Sequence, residues 1–245
     1  MKILVIDIET SPLIAPVWGL WENNVSYKHI QREGQILCYA AKWLGEKKVL
    51  FDSVHHSNER AMLKSAHALL SEADAVISFN GVNFDVKHLN AHFLLHKIKP
   101  PEPFKNIDLL KVAKGRFKFP SNKLDYIAKR LGIGQKTEHE GMELWLKCMA
   151  GNKTAWATMK RYNINDVILT ETVYYKLLPW IQNHPNVNLF SDIDCCSNCG
   201  SGSLQSRGRA ITSVGSYQRY QCLSCGAWNR GTRTIHKRVK IRSEV

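Results

Sequence analysis

Three short patterns in this chain carry acids at spacings that could do chemistry. Asp7-Ile8-Glu9-Thr10 continues the apolar run Ile3 to Ile6. Residues two apart on a strand share a face, so Asp7 and Glu9 project side by side. An ionised acid within an apolar strand is costly to bury unless it is paired or holds a metal. Asn80-Gly81-Val82-Asn83-Phe84-Asp85 lies where a strand pattern gives way to a helical one. Tyr162 and Asp166 lie four apart in a long helical stretch, on one face of it, and so can address one cleft. Each pattern alone is weak. Asp85 could be a helix N-cap, and Tyr162 a half-buried core tyrosine.

A second constellation is made of thiols. Cys196-Ser-Asn-Cys199 and Cys222-Leu-Ser-Cys225 are two CxxC pairs separated by 22 residues, each followed by a glycine, Gly200 and Gly226. Four thiolates at this spacing suit one tetrahedral Zn2+, with rubredoxin-like iron as a minor alternative. Cys195 in place of Cys196 would make the spacing C-x3-C, so Cys195 reads as a bystander.

The elements that must position these residues follow from periodicity. Strands are expected over 2–9, 35–44, 47–53 and 74–80, with a turn at Gly45–Glu46. Helical patterns fall near 58–71, 85–97, 107–114, 122–131, 141–149 and 153–180. This order implies a mixed α/β domain around a central sheet. Residues 10–34 lack a clear period and hold Trp18 and Trp21, a connection long enough to be a flap beside the site. The texture changes after Ile181. Residues 184–194 read as a linker between a first domain, 1–183, and a small module, 195–245.

Lys plus Arg outnumber Asp plus Glu by 34 to 21, a formal net charge of +13. That excess favours an anionic partner, nucleic acid first among them. From Ser191 onward nine Lys/Arg stand against three Asp/Glu. There Arg207, Arg209, Arg219, Arg230 and Arg233 are interleaved with Tyr217, Tyr220 and Trp228, a mixture suited to phosphate contact and base stacking. The tail HKRVKIR (236–242) adds charge. No apolar run approaches a membrane span and the N-terminal one is too short for a signal peptide. The expected location is the cytoplasm, where the seven cysteines would stay reduced.

Taken in order, the acid patterns resemble the three exonuclease motifs of the DEDD superfamily, DnaQ-like proteins with a ribonuclease-H-like fold. The similarity is to the tyrosine-bearing branch (DEDDy), as in the proofreading domains of family A and family B DNA polymerases. FNGVNFDVKHL resembles the second motif of the family B type. The histidine branch would carry His-x4-Asp, and position 161 is Arg161. The resemblance spans about residues 1–180. KLDYIAKRLGIGQK (123–136) and Gly141–Trp145 are similar to standalone relatives, many phage-encoded or bacterial. A free-standing exonuclease or a subunit is therefore expected, in DNA replication or repair and in the host cytoplasm if phage-encoded. The cysteine module resembles a zinc ribbon.

The resemblance implies a ribonuclease-H-like central mixed sheet flanked by helices, plus a small C-terminal zinc ribbon with four cysteine ligands. It implies that Asp7, Glu9, Asp85 and Asp166 hold two Mg2+ or Mn2+. Converging acids stay ionised when cations fill the gap, and two ions about 3.5–4 Å apart suit in-line phosphoryl displacement. Tyr162 would orient the attacking water, since a phenol of pKa about 10 is a poor base at neutral pH. Thr10 and Asn80 would contact the terminal nucleotide, with Arg207, Arg209, Arg219, Tyr220, Trp228 and Arg230 on the substrate from the ribbon. The implied reaction is 3′–5′ hydrolysis of single-stranded DNA to nucleoside 5′-monophosphates, with a polymerase or a replication or repair protein as a further partner. RNA or a branched structure is the alternative substrate. A zinc-ribbon binding protein with an inactive nuclease fold is the non-enzyme alternative.

Other chemistry-bearing residues have plainer readings. His88, His92 and His96 recur at helical spacing without an HExxH glutamate, and read as a partly exposed helix face. Cys38 and Cys148 read as core thiols, and Asp108 and Asp125 as caps or surface residues.

Overall fold

The β-branched run at the N-terminus forms the central strand β1 (Ile3–Thr10). In the computed structural model, which describes residues 1–21, 24–213 and 215–235, β2 (Ile36–Trp43) pairs antiparallel with one edge of β1, and β3 (Leu50–Ser53) pairs antiparallel with β2. On the other edge β4 (Ala75–Ser78) and β5 (Lys105–Asp108) run parallel to β1. The order is β3-β2-β1-β4-β5. The expectation of a mixed α/β fold around a central sheet holds.

The chain divides into two compact units, Lys2–Tyr174 and Tyr175–Val245 with Met1. In the first, α1 (Glu59–Glu72) and α2 (Asp85–Leu95) cover one sheet face. Leu4, Ile6 and Ile8 of β1 pack there with Met62, Leu63, Leu70, Leu89 and Phe93. Because the strand period is two, Asp7 and Glu9 point to the opposite face. That face is covered by α5 (Met142–Met149) and α6 (Lys153–Leu177), through Leu144, Cys148, Trp156, Met159 and Tyr162. Two shorter helices, α3 (Leu109–Arg116) and α4 (Leu124–Arg130), lie between α2 and α5 in sequence. A buried ion pair, Lys42 on β2 with Glu171 on α6, ties helix to sheet; Glu171 also accepts from the Gly45 amide at 3.0 Å.

Two details differ from expectation. β5 has no sequence signal, being four residues with two exposed. β3 begins at Leu50 and not at 47. In the connection after β1, Ile14 and Arg32 form a bridge, and Trp18 and Trp21 are exposed.

The second unit holds an antiparallel sheet, β6 (Leu204–Thr212), β7 (Gly215–Cys222) and β8 (Trp228–Thr234), in the order β6-β7-β8. β7 contains YQRYQ (217–221), and β8 begins in AWNR (227–230), just after the second cysteine pair. A single 3-10 turn, Val187–Phe190, interrupts the expected linker. The basic tail 236–242 lies outside the described residues. Among the described residues no helix is long and apolar enough to cross a membrane.

Candidate active site

Asp7, Glu9 and Asp166 each offer a carboxylate oxygen, and the three oxygens lie within 4.8 Å of one another. β1 supplies the first two and α6 the third. Asp85 comes in from the adjoining edge. It opens α2 just after β4, and its Oδ1 accepts the Ile8 amide at 2.9 Å. It is 3% exposed, so a bare carboxylate here is strongly desolvated.

The approach of Asp85 depends on the turn before it. Asn80 takes a left-handed φ of 74°, a conformation asparagine tolerates better than most residues. Its amide donates to Asp108 Oδ1 at 3.0 Å. A Cβ on Gly81 would stand 2.2 Å from Ser78 Oγ and 3.3 Å from Asp85 Oδ2, so the turn has room for glycine alone. Asp108 caps α3 through the Leu110 amide, as expected of a cap, and through Asn80 it also braces this turn.

Each acid leans on a donor from another element. Asn163 is fully buried and donates to Asp7 Oδ2 at 2.7 Å. Trp145 on α5 hydrogen-bonds Glu9. Lys136 donates to Asp166 Oδ2 at 2.5 Å and to the Tyr162 hydroxyl at 3.0 Å. Tyr162 in turn hydrogen-bonds Asp166. His139, Trp145 and Tyr162 stack edge to face with centroids 4.7–5.9 Å apart. Lys136 arrives on the loop after α4, pinned by its own amide, which donates to Asp125 Oδ1 at 2.9 Å.

Burial dominates the electrostatics. It raises Asp7 well above the usual carboxylate range, and the charges of Asp85, Glu9 and Asp166 add to the effect. Burial, then Asp166, pushes Glu9 up to about 8. Burial takes Asp85 to about 7 despite the Ile8 amide. Asp166 is raised by burial, and the Lys136 ammonium works against that rise. Burial and Asp166 also push the Tyr162 phenol up, so it stays a proton donor. One ammonium does not neutralise four acids, and Asp166 Oδ1 is buried with no hydrogen-bond partner among the described residues. An orphaned oxygen on a member of an acid cluster is a place for a hard divalent cation.

In the second unit the sulfurs of Cys196, Cys199, Cys222 and Cys225 also lie within 4.8 Å of one another and could hold a metal. Gly200 and Gly226 take positive φ, and their amides donate to the Cys196 and Cys222 carbonyls at 2.9 Å. Burial raises the Cys222 thiol, but the amides of Cys225 and Ser224 outweigh it and bring the value to about 7. Cys195 stands apart, bonded to Asn188.

The residues expected to touch substrate are spread over both units. Thr10 ends β1 beside a register shift, and Asn80 is the left-handed turn residue. On the three-stranded sheet Arg219 lies over Trp228 at 5.1 Å, and Arg230 over Tyr217 at 4.6 Å. Arg207 accepts Arg219 through its carbonyl, and Arg209 is exposed on β6. Tyr220, Arg230 and Arg233 line a cleft of about 720 Å3 with Asn186 and Asn229. Lys136 and Trp145 end the stretches 123–136 and 141–145 with no role assigned to them in the motifs, and Asn163 has none either. Asn163 sits inside the Tyr162–Asp166 pattern, and its burial in a polar type is the signal that could have found it.

A search of curated proteins finds no match. Among solved structures the chain is similar to the family B DNA polymerase from the hyperthermophilic archaeon Pyrobaculum calidifontis, with a TM-score of 0.57 at 16% identity. The likeness covers 73% of this chain and 24% of the polymerase, so the chain spans about a quarter of that protein, and at this identity it speaks for the fold. The profile of the RNase H superfamily matches residues 31–178. With more than half of its length matched, and with this sheet, the chain belongs to the RNase H superfamily.

Proposed function

We propose that the chain is a two-metal-ion 3′–5′ exonuclease of the DEDDy type, acting on single-stranded DNA and releasing nucleoside 5′-monophosphates. The observation that carries this reading is the convergence of Asp7, Glu9 and Asp166 within 4.8 Å, with an orphaned Asp166 oxygen. In this reading Asp7, Glu9, Asp85 and Asp166 hold Mg2+ or Mn2+. When bound, such ions lower the pKa of a coordinated water and neutralise charge on the scissile phosphate. The protein's part is positional. Asn163 and the Ile8 amide fix Asp7 and Asp85. Tyr162, kept protonated, orients the attacking water, and Lys136 fixes the phenol. Thr10 and Asn80 contact the terminal nucleotide.

The second unit, in the same reading, is a zinc ribbon over 195–245, joined to the exonuclease domain (1–183) by 184–194. Sulfurs around a tetrahedral Zn2+ lie about 3.8 Å apart, from Zn–S bonds of about 2.3 Å. Cys196–Cys225 at 3.7 Å and Cys199–Cys222 at 3.6 Å support that ion. Its arginine–aromatic pairs would grip the strand. A reducing cytoplasm, where these thiols stay available to the ion, belongs to the same reading.

The test is a 5′-labelled single-stranded DNA or RNA incubated with Mg2+ or Mn2+. A ladder shortening from the 3′ end, absent in Asp7→Ala and Asp166→Ala, is expected. Cleavage of RNA alone would move the substrate to RNA, and metal-dependent cleavage of neither polymer would overturn the reading. Unchanged zinc content in Cys222→Ser would remove the ribbon.

A further inference from the structure

His88 and His96 are partly exposed, as their spacing implies, but His92 between them is not. His92 is 8% exposed, and its Nδ1 lies 3.0 Å from Glu59 Oε1. His96 Nε2 lies 3.4 Å from the other oxygen of the same carboxylate. Glu59 is the first residue of α1, a helix that packs beside α2. The three side chains therefore bring one ligand atom each within 4.8 Å of one another. We propose that Glu59, His92 and His96 form a second metal site, for a first-row transition ion such as Zn2+, independent of the carboxylate cluster.

Helix dipoles account for an acid in the first turn of α1 and imidazoles at the end of α2. They do not account for two imidazoles converging on the two oxygens of one acid. The separations suit a shared cation. Ligands about 2.0–2.1 Å from a tetrahedral Zn2+ stand about 3.3 Å apart, against 3.0 and 3.4 Å here. The donor set is selective: imidazole favours Zn2+, Ni2+ or Cu2+, whereas Mg2+ wants oxygen.

The backbone holds both ends of the site. Asn58 caps α1 by accepting the Ala61 amide at 2.9 Å. Lys97 closes α2 with a φ of 56°, and the Ile98 amide donates to the Phe93 carbonyl at 2.8 Å. His96 is thereby fixed one turn beyond His92, through its amide on the His92 carbonyl at 2.9 Å. About 10–16 Å of helix separates the two histidines from Asp85. Glu59 and His96 keep about a quarter of their side-chain surface open, so an ion bound here has a free coordination position toward solvent. A bound ion would staple the start of α1 to the end of α2.

Zinc titration of the full chain, already loaded with zinc at its cysteines and kept in excess Mg2+, tests this. The wild type should take up one more equivalent than Glu59→Gln or His96→Ala, while His88→Ala keeps it. Thermal midpoints should rise by roughly 5–10 °C in the wild type at a hundredfold excess over Kd, and not in the two variants. Before the additional zinc is added, His96→Ala and His88→Ala should melt with the wild type, because both histidines are partly exposed; His96→Gln repeats the test with less lost volume. Nuclease rates should not differ. Equal zinc uptake in wild type, Glu59→Gln and His96→Ala would overturn the proposal, as would loss in His88→Ala with retention in His96→Ala.

Discussion

The acid cluster should make the metal-free protein less stable as pH rises, the reverse of what a salt-bridged carboxylate does. Glu9 keeps its proton to about pH 8, whereas an unfolded glutamate releases it near 4.3. Between those values the folded state holds one proton more than the unfolded state. Unfolding free energy then falls by about 1.4 kcal/mol per pH unit for each such proton. From about pH 5.5 to about pH 7.5, Glu9 alone therefore removes about 3 kcal/mol, and Asp85, titrating at about 7, steepens the lower part of that range. Metal binding reverses the trend, because ligating carboxylates must be ionised and the proton is expelled. The assay is thermal unfolding of wild type and Glu9→Gln across this range, with Mg2+ and Mn2+ first omitted and then added. Without these ions, the wild-type midpoint should fall relative to Glu9→Gln by roughly 6–12 °C. With Mg2+ the wild-type fall should vanish. Parallel curves without metal would refute the assignment of a half-buried, protonated Glu9.

Three further outcomes follow from particular contacts. Lys136→Met removes the ammonium that fixes both Asp166 and the Tyr162 hydroxyl; turnover should fall about 100-fold with the fold intact, read by single-turnover hydrolysis beside circular dichroism. Gly81→Ala drives a methyl group against Ser78 and toward Asp85; a stability loss of about 1–3 kcal/mol in denaturant titration should come with a larger proportional loss of nuclease rate. Glu171→Ala leaves the Lys42 ammonium buried and unpaired, which should cost about 3–5 kcal/mol. Urea titration would show it, and pairing Lys42→Met with Glu171→Leu should restore most of the loss.

What was legible in the sequence was what periodicity exposes. Acids two apart inside an Ile/Val run announce a strand with one functional face, and β1 shows that arrangement. The same holds for Tyr162 and Asp166, one helical turn apart, and for the paired CxxC knuckles. What was not legible depends on contacts across the fold. Lys136 is one of 34 basic residues in the sequence, and what singles it out is a loop pinned to Asp125 eleven positions earlier. Glu59 looks like an ordinary first-turn acid until α2 brings two imidazoles to it. β5 and β6 carry no strand signal because half of β5 and most of β6 face solvent and no apolar alternation marks them.

The acids come from three separate elements, and that separation has a physical reason. Like charges placed together on one flexible loop would move apart at little cost. Here β1 is hydrogen-bonded on both edges, and α2 and α6 lie against opposite sheet faces through packed apolar side chains, so the repulsion cannot relax by motion. It can relax by protonation, which burial and then the Asp166 charge favour at Glu9, or by a bound cation. The neutral donors support the second outcome. Asn163 and the Ile8 amide each satisfy one oxygen of an acid without adding positive charge, so they orient the carboxylates and leave the charge uncompensated. Lys136 offsets one charge of the four and leaves Asp166 Oδ1 without a partner. A site built for structural pairing would match each acid to a base. This one fixes the geometry of its acids and withholds the countercharge, which is how a rigid scaffold raises its affinity for a divalent ion.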